Sequence, residues 1–148
     1  MIKILWIDDN LDHDLTEKRM ALYMEPDFDP HFARDASEAY YRLRDEDFDV
    51  VIFDLRLPKG ADDIWNDLHD QVSGKNGGIL LRMVRTNYNN EFARHAQTRL
   101  GVFSIEAPDE NPELFEPPVN LPKERFMKKT DVYYEEDFIN FIHKIFNG

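Results

Sequence analysis

The stretch Val50-Val51-Ile52-Phe53-Asp54-Leu55-Arg56-Leu57-Pro58 decides how the rest of the chain is arranged. Four consecutive apolar residues, three of them β-branched, are typical of a parallel strand buried on both faces. Asp54 follows them, which predicts a carboxylate at the carboxyl end of that strand. Ligands of open α/β sheets bind at this edge, because loops and helix N-termini converge there. Asp54 is therefore the first candidate for chemistry, although taken alone it is more simply explained as the start of the turn before Pro58.

Composition limits the classes of function. The chain has 148 residues, of which 42% are hydrophobic and 32% charged, with no Cys and a formal net charge of −12. This length predicts a single domain, residues 1–148, and the apolar runs are too short to span a membrane. The excess of acids argues against direct nucleic-acid binding, which needs clustered Lys and Arg. Since the N-terminus carries no secretory leader and no disulfide can form, we expect a cytoplasmic protein without a membrane partner.

Strand and helix patterns alternate along the chain. Buried-strand runs are predicted at residues 2–7, 28–33, 50–53, 99–105 and 125–129. Helices are predicted at residues 11–24, 37–44, 77 to about 88, and 135–146. The second strand contains Pro30, which suits the edge of a sheet because Pro cannot donate to a ladder. This order predicts an α/β fold, a flavodoxin-like doubly wound five-stranded parallel sheet with strand order 2-1-3-4-5.

Two segments depart from the regular alternation. Residues 59–76 form a long loop with a weak helical stretch, and loops of this length are usually either functional or mobile. Residues 108–122 contain five prolines. Since Pro removes a helical hydrogen bond and clashes with the preceding turn, the helix that this fold would place between the fourth and fifth strands, its fourth helix, is expected to be shortened or replaced by a Pro-rich loop. The sequence does not assign a role to either segment.

The strand order brings acidic side chains together. The first and third strands are neighbours about 4.8 Å apart, so Asp8, Asp9 and Asp54 converge in one cleft, and Lys129 can reach across roughly 10 Å from the fifth strand. Three carboxylates in one cleft must hold protons or share a cation. Mg²⁺ prefers oxygen ligands and commonly bridges to phosphate. The cluster predicts a Mg²⁺ site where one carboxylate attacks a phosphoryl group, to which Ser104 would donate its hydroxyl.

Each candidate also has a simpler explanation. Asp8 and Asp9 could be a helix N-cap and its solvated neighbour. Ser104 could merely be satisfied by nearby backbone groups. Lys128 competes with Lys129, because adjacent strand residues face opposite sides of a sheet.

The spaced set as a whole resembles the receiver domain of two-component response regulators, in a stand-alone and divergent form. That family has an acidic pair after the first strand, a phosphoacceptor Asp followed by Leu/Met-Pro after the third, Ser or Thr ending the fourth, and an aromatic residue three positions before a Lys in the fifth. The matching residues here are Asp8 and Asp9, Asp54 with Leu57-Pro58, Ser104, Phe126 and Lys129.

The resemblance implies a role for each of these residues. Asp54 would accept phosphate from a histidine kinase or phosphotransfer protein. Asp8, Asp9 and Asp54 would bind Mg²⁺ together with the backbone carbonyl of Arg56. Ser104 and Lys129 would engage the phosphoryl group.

Two functions of different classes remain open at the level of sequence. The first is a phosphoacceptor signalling module of a two-component phosphorelay, a regulatory phosphoprotein that acts through a separate, unknown downstream protein and is not a turnover enzyme. The alternative is a phosphorylation-independent pseudo-receiver that serves as a protein-interaction module. An aspartyl-phosphate hydrolase is disfavoured, because Arg56 stands where a second acid would be expected.

Overall fold

The computed structural model describes residues 1–12, 15–58, 60 and 75–148. One parallel sheet contains the strands β1 (Ile2–Ile7), β2 (Phe28–Ala33), β3 (Val50–Phe53), β4 (Arg99–Ser104) and β5 (Phe126–Lys128). Their order in the sheet is β2-β1-β3-β4-β5, and every neighbouring pair is parallel. The predicted fold class and strand order are confirmed. The Pro-containing strand β2 lies at an edge, where Pro30 interrupts no inner ladder.

Four α-helices cover the two faces of the sheet in the described part of the chain: α1 (Thr16–Met24), α2 (Ala36–Asp45), α3 (Asn76–Arg85) and α4 (Glu135–Asn147). Helix α1 begins five residues later than predicted, although Leu11 and Leu15 are buried as the apolar spacing requires. Helix α3 stops at Arg85, short of the predicted end, because the backbone turns left-handed at Asn87, with φ 55°. Left-handed residues commonly end helices.

The strands bury side chains on both faces, as their near-continuous apolar sequences predict. One hydrophobic cluster lies under α2 and α3 and receives the alternate residues Leu5, Ile7, Val51, Phe53, Leu100 and Val102. The other lies under α1 and α4 and receives Ile4, Trp6, Val50, Ile52 and Phe103. Because the core holds β1, β3 and β4 from both sides, the residues at their carboxyl ends are fixed in place.

No α-helix forms between β4 and β5, as the prolines predict. Residues 105–125 instead contain three short 3₁₀ turns, Pro108–Glu110, Pro112–Phe115 and Lys123–Arg125. Leu114, Val119 and Leu121 are buried in the cluster under α2 and α3, so the segment is anchored to the core. The predicted loop at 59–76, with its weak helical stretch, lies outside the described residues except for Gly60, Lys75 and Asn76. Within the described chain, no helix is long and apolar enough to span a membrane.

Candidate functional site

Asp8 and Asp54 stand side by side at the carboxyl edge of the sheet. Ile7 pairs with Phe53 in the register of β1 and β3, so the residue after each strand lies at the same level. The Asp8 N–H donates to the carbonyl of Ala33 at 3.0 Å, and the Asp54 N–H donates to the carbonyl of Ile7 at 2.9 Å. The ladder thus continues one residue past each strand and holds both backbones. Asp8 is fully buried and Asp54 is only 3% exposed.

Lys129 bridges the two carboxylates. Its Nζ lies 2.6 Å from Asp8 Oδ2 and donates a hydrogen bond to Asp54 Oδ2 at 3.1 Å. Strand β5 ends at Lys128, which pairs in register with Ser104, and Lys129 is the next residue along the chain. Of the two candidate lysines, Lys129 is therefore the one that contacts Asp54. It crosses the end of β4 to do so, as the strand spacing allows.

The two buried carboxyls hold their protons more tightly than free Asp. Burial, and then the neighbouring charge of Asp8, raise the pKa of Asp54 to about 6, against the lowering effect of Lys129. Burial likewise raises the pKa of Asp8, and Lys129 again opposes the shift. Burial alone would lower the pKa of Lys129, but Asp54 and Asp8 outweigh it and raise that pKa. Lys129 therefore stays charged while the two carboxyls compete for one counter-ion.

A divalent cation fits this donor set. Oxygens of Asp8, Asp9 and Asp54 lie within 4.8 Å of one another, and Asp9 is exposed to solvent. Three ionised carboxylates and one ammonium leave two uncompensated negative charges, which a hard divalent ion would neutralise with oxygen ligands. Arg56 lies beside the cluster, since its N–H donates to Asp54 Oδ1 at 3.3 Å. The Arg56 carbonyl as a further ligand stays a prediction.

Ser104 ends β4 and is fully buried. Its Oγ accepts a hydrogen bond from the Glu106 N–H at 3.3 Å, so a backbone group does satisfy it, as the simpler explanation holds. A hydroxyl that accepts one hydrogen bond still has its own proton to donate. Backbone satisfaction and a role towards a phosphoryl group are therefore compatible.

A second charged cluster, which the sequence did not indicate, adjoins the first. Glu106 is 5% exposed, and its Oε1 lies 3.2 Å from Lys75 Nζ and 3.5 Å from an Arg56 guanidinium nitrogen. Lys75 also donates to Asn111 Oδ1 at 2.9 Å. These contacts join the loop after β3, the start of α3 and the Pro-rich segment. The only sequence signal was an acid two residues after Ser104 at a strand end.

The N-terminus of α3 packs directly on the backbone of the site. The Gly77 N–H donates to the carbonyl of Leu55 at 3.1 Å, and the buried Asn76 side chain donates to the carbonyl of Leu57 at 2.9 Å. Helix α3 therefore fixes the chain on the far side of Asp54. The sequence marked Gly77 only as the opening of a helix.

Comparison with known proteins identifies the fold. Neither a protein-family model nor a curated protein sequence matches the chain. Solved structures do match. A response regulator from Desulfuromonas acetoxidans superposes with a TM-score of 0.67 at 17% identity, covering 99% of this chain and 98% of its own. A CheY-like response regulator receiver domain protein from Methanospirillum hungatei JF-1 has a TM-score of 0.65 at 16% identity, covering 99% of this chain and 94% of its own.

The non-phosphorylated HemR receiver domain from Leptospira biflexa gives the same result, with a TM-score of 0.65 at 19% identity, covering 100% of this chain and 96% of its own. The chain therefore has the fold of response-regulator receiver domains over essentially its whole length. The resemblance inferred from the sequence motifs is confirmed at the level of the fold.

Proposed function

We propose that this protein is a phosphoacceptor signalling module in which Asp54 receives a phosphoryl group from a histidine kinase or phosphotransfer protein. The observation that carries the proposal is the position of Lys129 Nζ, which contacts Asp8 and Asp54 at the carboxyl edge of a receiver fold. We further propose that it acts in the cytoplasm through a separate downstream protein, as a regulatory domain that turns over no external substrate.

The chemistry follows from the charges in the site. An ionised Asp54 oxygen attacks phosphorus, a P–O bond forms, and the bond to the donor breaks as the donor leaves with its electron pair. The Lys129 ammonium then pairs with the oxygens of the transferred phosphoryl group in place of the Asp54 carboxylate, and the Ser104 hydroxyl donates a hydrogen bond to that phosphoryl group. Mg²⁺ held by Asp8, Asp9 and Asp54, with the Arg56 carbonyl, would supply the charge that neutralises the phosphoryl oxygens.

Incubation with acetyl phosphate and Mg²⁺, followed by intact-mass measurement, tests this proposal. The wild-type chain should gain one phosphoryl group, and Asp54→Asn should gain none. Asp47→Asn is the matched control, because Asp47 precedes β3 at the opposite edge of the sheet, has a side chain 81% exposed and pairs with Arg94. Full labelling of the Asp54→Asn chain would show that the phosphoacceptor is a different residue.

A second candidate function rests on the same ion pairs. Lys129 neutralises one charge of the buried Asp8 and Asp54 pair when no phosphoryl group is present. A pseudo-receiver that serves only as an interaction module would need such charge compensation. Absence of any phosphoryl gain at saturating acetyl phosphate, together with calorimetric binding of Mg²⁺ that Asp8→Asn abolishes, would favour this alternative.

A further inference from the structure

Three arginines line one pocket at the opposite edge of the sheet from Asp54. Arg99 is the first residue of β4, Arg85 is the last residue of α3, and Arg125 immediately precedes β5. All three line a cavity of about 370 Å³, a volume typical of small-molecule sites. Such a concentration of positive charge is unexpected in a chain with a net charge of −12.

Among the described residues, these arginines lack the carboxylate partner that six of the other seven arginines of the chain have. Arg19, Arg34, Arg42, Arg44, Arg56 and Arg94 each lie within 4 Å of a carboxylate oxygen. In the described part of the chain, no carboxylate side chain comes that close to Arg85, Arg99 or Arg125. Arg85 donates to the carbonyl of Thr98 at 3.3 Å, and the Arg99 guanidinium lies 5.3 Å from the centre of the Phe146 ring.

The three charges act on one another. Burial, and then the charge of Arg125, lower the pKa of Arg85. Burial, and then the charge of Arg99, lower the pKa of Arg125, and Glu124 offsets only part of that shift. Guanidinium groups that repel each other in a partly buried pocket would gain from a shared anion.

Helix ends account for only part of this charge. Helices α3 and α4 both end near the pocket, and each helix C-terminus carries about half a negative charge. A carboxylate at Gly148, which also lines the pocket, would add at most one more. These groups leave roughly one of the three positive charges, of which Glu124 offsets only a part.

We propose that this pocket is a binding site for a small, soluble anion that carries phosphate groups. A guanidinium group can donate two parallel hydrogen bonds to two oxygens of one phosphate group. The exposed side-chain amides of Gln97 and Asn120 line the same pocket as further donors. The concave shape suits a small ligand. The strongly acidic remainder of the surface repels nucleic acids and anionic membranes, which would have to approach over a much larger area.

Calorimetric titration of the full chain with inorganic pyrophosphate tests the proposal. EDTA and constant ionic strength exclude metal-bridged binding at Asp54. We expect one site, and we expect Arg125→Gln and Arg99→Gln each to weaken binding roughly tenfold or more, since each removes a charge-assisted contact. Arg44→Gln is the matched control, because it makes the same change in net charge at an exposed arginine paired with Asp45.

Amide chemical shifts locate the bound ion. Changes at residues 97–99 and 119–125, with Ser104 unchanged, support the pocket, whereas changes at Ser104 or Lys129 overturn it. Undetectable pyrophosphate binding, or equal weakening in Arg44→Gln, also overturns the proposal.

If Arg99→Gln or Arg125→Gln loses its cooperative thermal transition, the Lys variants provide the comparison, since they keep the positive charge and lose the paired donors of the guanidinium group. Binding to vesicles that contain a phosphorylated lipid, weakened by Arg125→Gln but not by Arg44→Gln and seen without detectable binding of free pyrophosphate, would overturn the soluble source.

Discussion

Gly77 is the residue on which the geometry around Asp54 depends most directly. A Cβ built at Gly77 would lie 1.7 Å from the carbonyl oxygen of Asp54, whereas one built at Gly78 would lie 3.6 Å from a terminal carbon of Leu55. The first distance cannot exist without moving α3 away from the end of β3. The second is an ordinary van der Waals contact.

The two glycines therefore form a matched pair for mutation. We expect Gly77→Ala to lower the free energy of unfolding by about 2 kcal/mol or more, because overpacking against backbone cannot be relieved by a rotamer change. Gly78→Ala should be neutral or stabilising by up to about 1 kcal/mol, since Ala favours the helix. Urea unfolding of both variants is the measurement. Similar unfolding free energies for the two would contradict the close approach of α3 to Asp54.

The raised pKa of Asp54 makes the stability of the metal-free protein depend on pH. Its pKa is about 6 in the folded chain, against an ordinary value of 3.8. The folded state therefore binds the proton more tightly, and the stability this gives is complete below pH 3.8 and lost as the pH rises through 6. At pH 7 the ionised, buried carboxylate destabilises the fold by up to about 3 kcal/mol.

Asp54→Asn should remove this penalty. In EDTA, we expect the variant to be more stable than the wild type at pH 7, and the difference should shrink as the pH falls towards 4. Adding Mg²⁺ at pH 7 should narrow the difference, because the cation stabilises the ionised wild-type cluster. Denaturant unfolding at several pH values measures it. A difference that does not change with pH would show that Asp54 is not the strained ionisable group.

At the scale of elements, the sequence predicted the strand positions and helix breaks that hydrophobic periodicity, prolines and strand order determine. The runs at residues 2–7 and 50–53 are apolar on both faces, which made them central parallel strands, and their order placed Asp8 beside Asp54. Pro30 placed β2 at an edge, and the prolines after Pro108 excluded a helix. Each of these inferences depends on local composition and on one topological rule.

Contacts between elements were not predictable in the same way. The pairing of Glu106 with Lys75 and Arg56 joins three loops whose side-chain directions no sequence period specifies. The approach of Gly77 to Asp54 depends on the packing of α3 to within a fraction of an ångström. The arginine pocket is lined by residues that are far apart in the sequence. Because the basic residues are scattered along the chain, no local pattern indicates this pocket. The start of α1 was also missed, because buried Leu11 and Leu15 fit a helical spacing outside the helix.

At the scale of the whole molecule, the two edges of the sheet carry opposite charge. The carboxyl edge holds the Asp8, Asp9 and Asp54 cluster, and the amino edge holds Arg85, Arg99 and Arg125. The core fixes both edges through the same strands, since β4 begins at Arg99 and ends at Ser104. The signal that we propose for Asp54 would therefore leave through the loops rather than by bending the sheet.

The contacts around Ser104 define one such route. Glu106 donates its N–H to Ser104 Oγ and contacts Lys75, which in turn donates to Asn111 in the Pro-rich segment. In receiver domains, phosphorylation draws the hydroxyl at the end of the fourth strand inward and shifts the population between two states, which is the behaviour we propose here. Movement of Ser104 would release the Glu106 N–H and so alter the contacts of residues 106–121.

We therefore predict that the phosphoryl mimic beryllofluoride, added with Mg²⁺, changes hydrogen exchange in residues 106–121 and does not act solely through β5 and α4. Asp54→Asn should show no change anywhere, because the mimic has no carboxylate to bind. Lys75→Met keeps an unbranched side chain without the charge, so it should reduce the change in residues 106–121 and leave that in β5 and α4 intact. Exchange differences confined to β5 and α4 in the wild type would refute the route, because the segment anchored by Leu114, Val119 and Leu121 would then not respond to the site.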